Sequence, residues 1–168
     1  MNFRDLTAED IEVRVQSVKQ NGLVLLLYKN ARVDMAILDE TVGAENWQRE
    51  HYECKGNLFC RVGINILYED SGLSQEYVWK SDCGTESNTE AQKGEASDSF
   101  KRACFNWGIG RELYTSPFIW VGADKCKIEN GKCYDKFAVE KIKIENKKIV
   151  GLSIINLSNK QRCFVWTP

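Results

Sequence analysis

Hydrophobic positions change their period several times along this chain, and each change marks an element. Residues 88–114, NTEAQKGEASDSFKRACFNWGIGRELY, carry the helical period most clearly. At about 100° per residue, Ala96, Phe100, Ala103, Cys104 and Trp107 fall on one stripe, while Lys101 and Phe105 turn away from it. The spacing predicts a helix over 89–107, ended by Gly108 and Gly110. A basic residue one turn from an outward aromatic suits nucleic acid, which is held by phosphate contacts and stacking. Nothing in that spacing abstracts a proton or holds a metal, so it points to a binding surface rather than a catalytic one.

Upstream, Thr7 followed by Glu9 and Asp10 predicts a short helix through Val18, because a hydroxyl cap and first-turn acids suit the helix dipole. Asn21-Gly22 breaks it, and the apolar run Leu23 to Tyr28 reads as a buried strand. A second helix is predicted over 30–42, stopping at Gly43. Its Val33, Met35, Ile37, Leu38 and Val42 spread around the circumference and imply partners on more than one side, consistent with contact between copies. From Asn46 to Cys83 the period becomes two, in the runs WQREHYEC, LFCRVGINILYE and EYVWKSD. Lys55-Gly56-Asn57 and Asp70-Ser71-Gly72 separate them, so the segment reads as a three-stranded antiparallel meander. Beyond Gly110 the pattern predicts a strand over 117–121, a turn at 129–131, a hairpin of 137–145 with 149–156 around Asn146, and a last strand at 163–166. The expected fold is α+β: an antiparallel three-stranded β-meander packed against a long α-helix, with a small C-terminal β-hairpin extension. The expected division is a core over 1–120 and a β-rich extension over 121–168.

With 168 residues, 43% of them hydrophobic, the chain is long enough for a real core. Its net charge of −1 gives no general reason for a polyanionic partner, but the distribution is uneven. From Asp124 onward ten Lys and Arg face five Asp and Glu, a local +5 that leaves −6 for residues 1–123. The longest apolar run, Leu23 to Leu27, is far too short to cross a bilayer, so the expectation is a soluble cytoplasmic protein with no membrane partner. Seven cysteines without a CxxC pair argue for reduced thiols rather than a disulfide framework.

Enzyme chemistry finds little support. His51 is the sole histidine, and no feature pairs it with a cysteine nucleophile. Cys126 and Cys133 flank a turn, but a zinc site needs further ligands such as Cys83 or Cys163. Gly108-Ile109-Gly110 lacks the Lys-Ser or Lys-Thr that completes a nucleotide-binding loop. No catalytic residue, metal or cofactor is expected.

The segments ARVDMAILDETVGAENWQREH (31–51), GNLFCRVGINILYEDS (56–71) and EASDSFKRACFNWGIGREL (95–113) are similar to the annealing core of the Rad-fifty-two and Rad-twenty-two proteins. They resemble most closely the Sak-type single-strand annealing proteins of phages and bacteria, over roughly residues 8–114. The resemblance implies an oligomeric ring that binds single-stranded DNA in a groove and pairs complementary strands without nucleotide hydrolysis. It implies a setting in recombination and DNA repair within a bacterial or phage-infected cell, with a single-strand binding protein or other recombination proteins as partners. Lys101 and Arg102 match the basic pair that contacts the DNA backbone, Arg14 matches a basic residue of the first helix, and Asn46 and Trp47 match the turn that opens the first strand. Phe105 stands where a basic residue is common, and Glu90 and Gly94 stand where the eukaryotic members are basic.

Each residue has a plainer reading as well. Asp98 is placed to pair with Lys101 and Arg102 as an ordinary helix neighbour. Phe105 suits either packing against a neighbouring element or subunit or base stacking. Arg61 and Lys80, on predicted strands, face either the groove or solvent, and Tyr68, Tyr77 and Trp79 are expected to pack rather than to stack on bases. Lys141, Lys143, Lys147 and Lys148 make a basic hairpin, either a second DNA patch or a solvated surface. Two rival functions remain: a protein that protects single strands without annealing them, and a ring that serves as an adaptor for other proteins.

Overall fold

The computed structural model describes residues 1–67, 75–85 and 91–168. In chain order it forms strands β1 (Glu12–Lys19) and β2 (Gly22–Tyr28), helix α1 (Ala31–Val42), strands β3 (Trp47–Cys54), β4 (Asn57–Leu67) and β5 (Gln75–Cys83), and helix α2 (Ala91–Asn106). Strands β6 (Ile119–Gly122), β7 (Phe137–Glu145), β8 (Lys148–Asn156) and β9 (Gln161–Trp166) follow. Two compact units result, residues 1–4 with 30–110 and residues 5–29 with 111–168. This grouping runs differently from the expected boundary at residue 120, because the first two strands join the C-terminal ones.

In the first unit β3, β4 and β5 form an antiparallel sheet with β4 at its centre. Lys55 and Gly56, at φ 51 and 77, make the two-residue turn between β3 and β4. The Asp70–Gly72 turn lies outside the described residues. Alternation along β4 sends Cys60, Val62 and Ile64 to the face that α2 covers, and all three are fully buried. From the helix, Phe100, Ala103 and Cys104 meet them, also fully buried. Each large side chain buried in this way contributes about 1.5–3 kcal/mol. Trp107 donates its indole N–H to the Val62 carbonyl at 2.9 Å, fixing the far end of α2 to the central strand.

Helix α1 starts where its cap predicts: the Asn30 side chain accepts the Arg32 N–H at 2.8 Å. It stops at Gly43, whose φ of 87 a residue with a Cβ adopts poorly. Ile37 and Leu38 are fully buried, while Val33, Met35 and Val42 stay half-buried.

The second unit holds a six-stranded antiparallel sheet in the order β6-β2-β1-β7-β8-β9. It corrects two expectations. The segment 12–19 is a strand rather than a helix, for its Val13 and Val15 alternate with exposed Glu12, Arg14 and Gln16. Thr7 and Asp10 do form the capping contact, Asp10 accepting the Thr7 N–H at 2.8 Å, but only a single 3-10 turn over Ala8–Asp10 follows. The C-terminal hairpin is likewise no small extension: β7 joins β1 through the Glu12 and Ala138 pair, and β2 pairs β6 from Gly22 to Leu25. Leu23, Leu25, Ile119, Val121, Leu152 and Ile154 form the core beneath. The described parts of the chain are therefore mixed α+β, with antiparallel sheets in both units.

Candidate nucleic-acid interface

Burial of the Phe100–Cys104 stripe decides where the α2 cations stand. Lys101 and Arg102 sit about 100° apart on the helix, one on each shoulder of its outer surface. Lys101 is half-buried and Arg102 exposed. Arg102 places its Nε 3.5 Å from the Asp82 carboxylate of β5, not on Asp98. Asp98 instead accepts the Thr85 N–H and hydroxyl at 3.0 and 3.3 Å. Phe105, expected to be outward and exposed, is half-buried.

The register Arg61↔Ser81 and Val62↔Lys80 separates the two strand cations, since neighbours along a strand point to opposite faces. Lys80 lies on the helix side. Its ammonium sits 4.8 Å over the Trp107 ring and donates to the Asn106 carbonyl at 3.1 Å, which satisfies the last turn of α2. Arg61 lies on the other face, 4.4 Å over the Trp79 ring, and donates to the Glu50 carboxylate at 2.9 and 2.6 Å.

That second face is rich in aromatics. Tyr52 stacks on Phe59 with centroids 5.5 Å apart, and Tyr77 meets Trp79 at 5.9 Å. Tyr52 and Tyr77 are 39% and 37% exposed, so Tyr77 is not sealed in a core as expected. Trp79 spreads across Gly63, where a Cβ would fall 2.8 Å from its ring. Tyr68 lies outside the described residues.

The remaining candidates belong to the six-stranded unit. Arg14 is on β1, 5.5 Å over the Tyr28 ring, rather than on a first helix. Of the hairpin lysines, Lys143 pairs with Glu145 at 2.7 Å and Lys147 with Asp5 at 2.9 Å, while Lys141 and Lys148 are exposed. Two of the four lysines are thus offset by neighbouring acids. Cys126, Cys133 and Cys163 belong to this unit as well, and Cys83 to the other. Burial, reinforced by neighbouring Cys133 and Asp135, pushes the Cys126 thiol up to about 11, so it stays protonated at neutral pH. No group of three or more metal-ligating side chains occurs among the described residues.

Sequence reasoning passed over one further cation and its neighbours. Along β3, Trp47, Arg49 and His51 alternate onto the helix side. The Trp47 ring stacks on Phe100 at 6.0 Å, and the Arg49 guanidinium lies 4.7 Å over the same ring. His51 donates from Nε2 to the Ala96 carbonyl at 3.1 Å. The period-two run WQREHY was the signal: it places Arg49 and His51 with Trp47 on the covered face.

These features define a mixed α+β protein whose meander-and-helix unit carries cations on the helix shoulders and on both strand faces. The family model for Rad52/22 family double-strand break repair proteins matches residues 3–132, most of the chain. The chain belongs to that family. The match runs past residue 114, where the resemblance read from the motifs ended, and takes in β6 and the turn near residue 130. Neither the curated proteins nor the solved structures give a match.

Proposed function

We propose that the protein binds single-stranded DNA and anneals complementary strands, without nucleotide hydrolysis or cofactor, as an oligomer in recombination and double-strand break repair. The observation that carries the reading is the Lys101-Arg102 pair, inside the family-matched segment and on a helix whose opposite face is locked to the sheet. Phosphate contacts need permanent cations on a rigid element, and base recognition can be left to pairing between the strands. A strand pinned by its backbone meets its complement already extended, which lowers the ordering cost of the encounter. Lys101 and Arg102 make the primary contacts, and Arg61 with its aromatic neighbours is a second surface that a base can stack on. Lys80 contributes through the shape of the α2 terminus, since its ammonium is engaged there. Arg14 and the lysine hairpin belong to the sheet unit and serve as auxiliary phosphate contacts. The assembly is a ring or helical oligomer working in the cytoplasm beside a single-strand binding protein or other recombination proteins. No helix among the described residues is long and apolar enough to cross a membrane.

The test pairs complementary oligonucleotides with wild type and with a Lys101→Glu, Arg102→Glu variant. Wild type is expected to accelerate pairing and to lose DNA affinity as salt rises. The variant is expected to lose affinity while solution mass and melting temperature hold. Slowed pairing by wild type would show a protective protein instead. An unchanged affinity in the variant would point to an adaptor.

A further inference from the structure

The start of α1, strand β3 and the first half of α2 enclose a cleft of about 500 Å3, lined among others by Arg32, Met35, Arg49, His51, Lys93 and Ser97. That volume is within the range of small-ligand sites, about 300–1,000 Å3. Three permanent cations and a histidine face it, and no Asp or Glu lines it among the described residues. Arg61, Arg102 and Arg162 each have a carboxylate partner. Arg32 and Arg49 have none among the described residues. Among the described residues no acid cancels their charge, and the positive end of the α1 dipole adds to it.

The cleft is also built to hold its cations in place. The Arg49 guanidinium lies 4.7 Å over the fully buried Phe100 ring, a contact that favours one position for it before any ligand arrives. His51 ties β3 to α2 through the Ala96 carbonyl, which sets the width between those two walls. A guanidinium held in this way offers a phosphate two parallel N–H donors at small ordering cost. Met35 with Ala31 and Ala96 gives the walls an apolar part, so the cleft suits an anion joined to a less polar body.

Its position on α2 links it to the proposed DNA contact. Lys93, Ser97 and Lys101 follow one another at four-residue steps and share one side of the helix, with Lys93 and Lys101 about 12 Å apart along its axis. A strand held at Lys101 needs only a few nucleotides to reach the cleft.

We propose that this cleft seats one nucleotide of a single DNA strand, its phosphate bound by Arg32, Arg49 and Lys93 and its sugar or base laid against Met35. The inference rests on the single-strand reading above and adds to it a seat that the Lys101-Arg102 pair does not supply. The same phosphate chemistry could come from a free mononucleotide, so the experiment carries an arm for each source.

Binding of a fluorescent thymidine oligonucleotide is followed by anisotropy over a salt series with the full chain. Wild type, Arg32→Gln, the Arg32→Gln/Arg49→Gln double variant and Lys101→Glu/Arg102→Glu are compared. Arg32→Gln is expected to weaken binding roughly fivefold and to flatten the plot of log affinity against log salt by about 0.7, one phosphate contact on a single strand. The double variant is expected to lose at least about tenfold. Because Arg49 braces Phe100, the exposed Arg32 variant decides the matter should the double variant melt early. Wild-type affinity and slope in Arg32→Gln, beside a weakened Lys101→Glu/Arg102→Glu, would overturn the cleft and leave the DNA reading standing. Wild type that ignores the oligonucleotide in dilute salt would overturn both. Thymidine monophosphate or inorganic phosphate competing at the nucleotide concentration of the oligonucleotide itself would show a small-molecule site and also overturn the proposal.

Discussion

Arg102 of α2 lies 3.5 Å from the carboxylate of Asp82 on β5, so the exposed cation of the basic pair is already held by an acid of the neighbouring strand. The two side chains are 44% and 29% exposed, and an ion pair in such a setting contributes about 1 kcal/mol or less. A DNA phosphate can displace it. Asp82→Asn removes the competitor and is expected to tighten single-strand binding, roughly two- to fivefold at low salt, with the gain fading as salt rises. Equilibrium titration at two ionic strengths checks this. A weaker complex would mean that Asp82 aims Arg102 at the DNA rather than competing for it.

Gly84 sits where strand β5 passes under α2. A Cβ there would stand 2.3 Å from the Glu95 carbonyl oxygen and 2.9 Å from the Ser99 nitrogen, both backbone atoms that cannot turn aside. Gly84→Ala is expected to push the helix off the sheet at a cost on the order of 1–3 kcal/mol. Chemical denaturation measures the loss. Single-strand affinity should drop with it under mildly destabilising conditions, because the helix carries Lys101 and Arg102.

Glu112 is fully buried, and one of its oxygens accepts the Leu6 N–H at 2.7 Å while the other has no hydrogen-bond partner. Its carboxylate ties the N-terminal segment to the chain beyond α2, inside the six-stranded unit. Glu112→Ala leaves a buried N–H unsatisfied and is expected to destabilise by about 1–3 kcal/mol. Glu112→Gln keeps an acceptor in place and should cost clearly less. Equal losses in the two variants, read by thermal melting, would assign the effect to packing rather than to the hydrogen bond.

The hydrogen bonds from Arg162 hold the Glu140 carboxyl down, from its usual 4.5 to about 2, with Ser153 donating a further one. A carboxyl depressed in the folded state favours folding above its unfolded value. That contribution is fully present above about pH 4.5 and is lost as the pH falls toward about 2. In a Glu140→Gln variant the stability curve is expected to fall less steeply than wild type across that acid window and to run parallel to it near neutrality. Parallel curves throughout would show that the pair does not differ between folded and unfolded chains.

Helices α1 and α2 and the strands of the meander were legible because their signals are local. The Asn30 cap, the Gly43 stop, the Phe100–Cys104 stripe and the Lys55-Gly56 turn each act within a few residues. The Lys101-Arg102 pair was legible for the same reason, standing opposite that stripe. Residues 12–19 were less legible because the helix-start signal of Thr7, Glu9 and Asp10 is real but spends itself in one turn, while the alternation of Val13 and Val15 with Glu12, Arg14 and Gln16 suits the strand that follows.

The chain by itself determined helices α1 and α2, the strands of the meander, the buried stripe of α2, and the kinship with double-strand break repair proteins. Tertiary structure alone decided that β1 pairs with β7, so that the first strands and the C-terminal ones share a sheet. It alone put Arg61 and Lys80 on opposite faces with their separate partners, and brought Arg32, Arg49 and Lys93 around one cleft. The physical reason is distance along the chain. Period and capping are set by neighbours a turn away, whereas strand pairing, ion pairs and cavities depend on segments tens of residues apart whose meeting is settled only when their shared apolar surface leaves water.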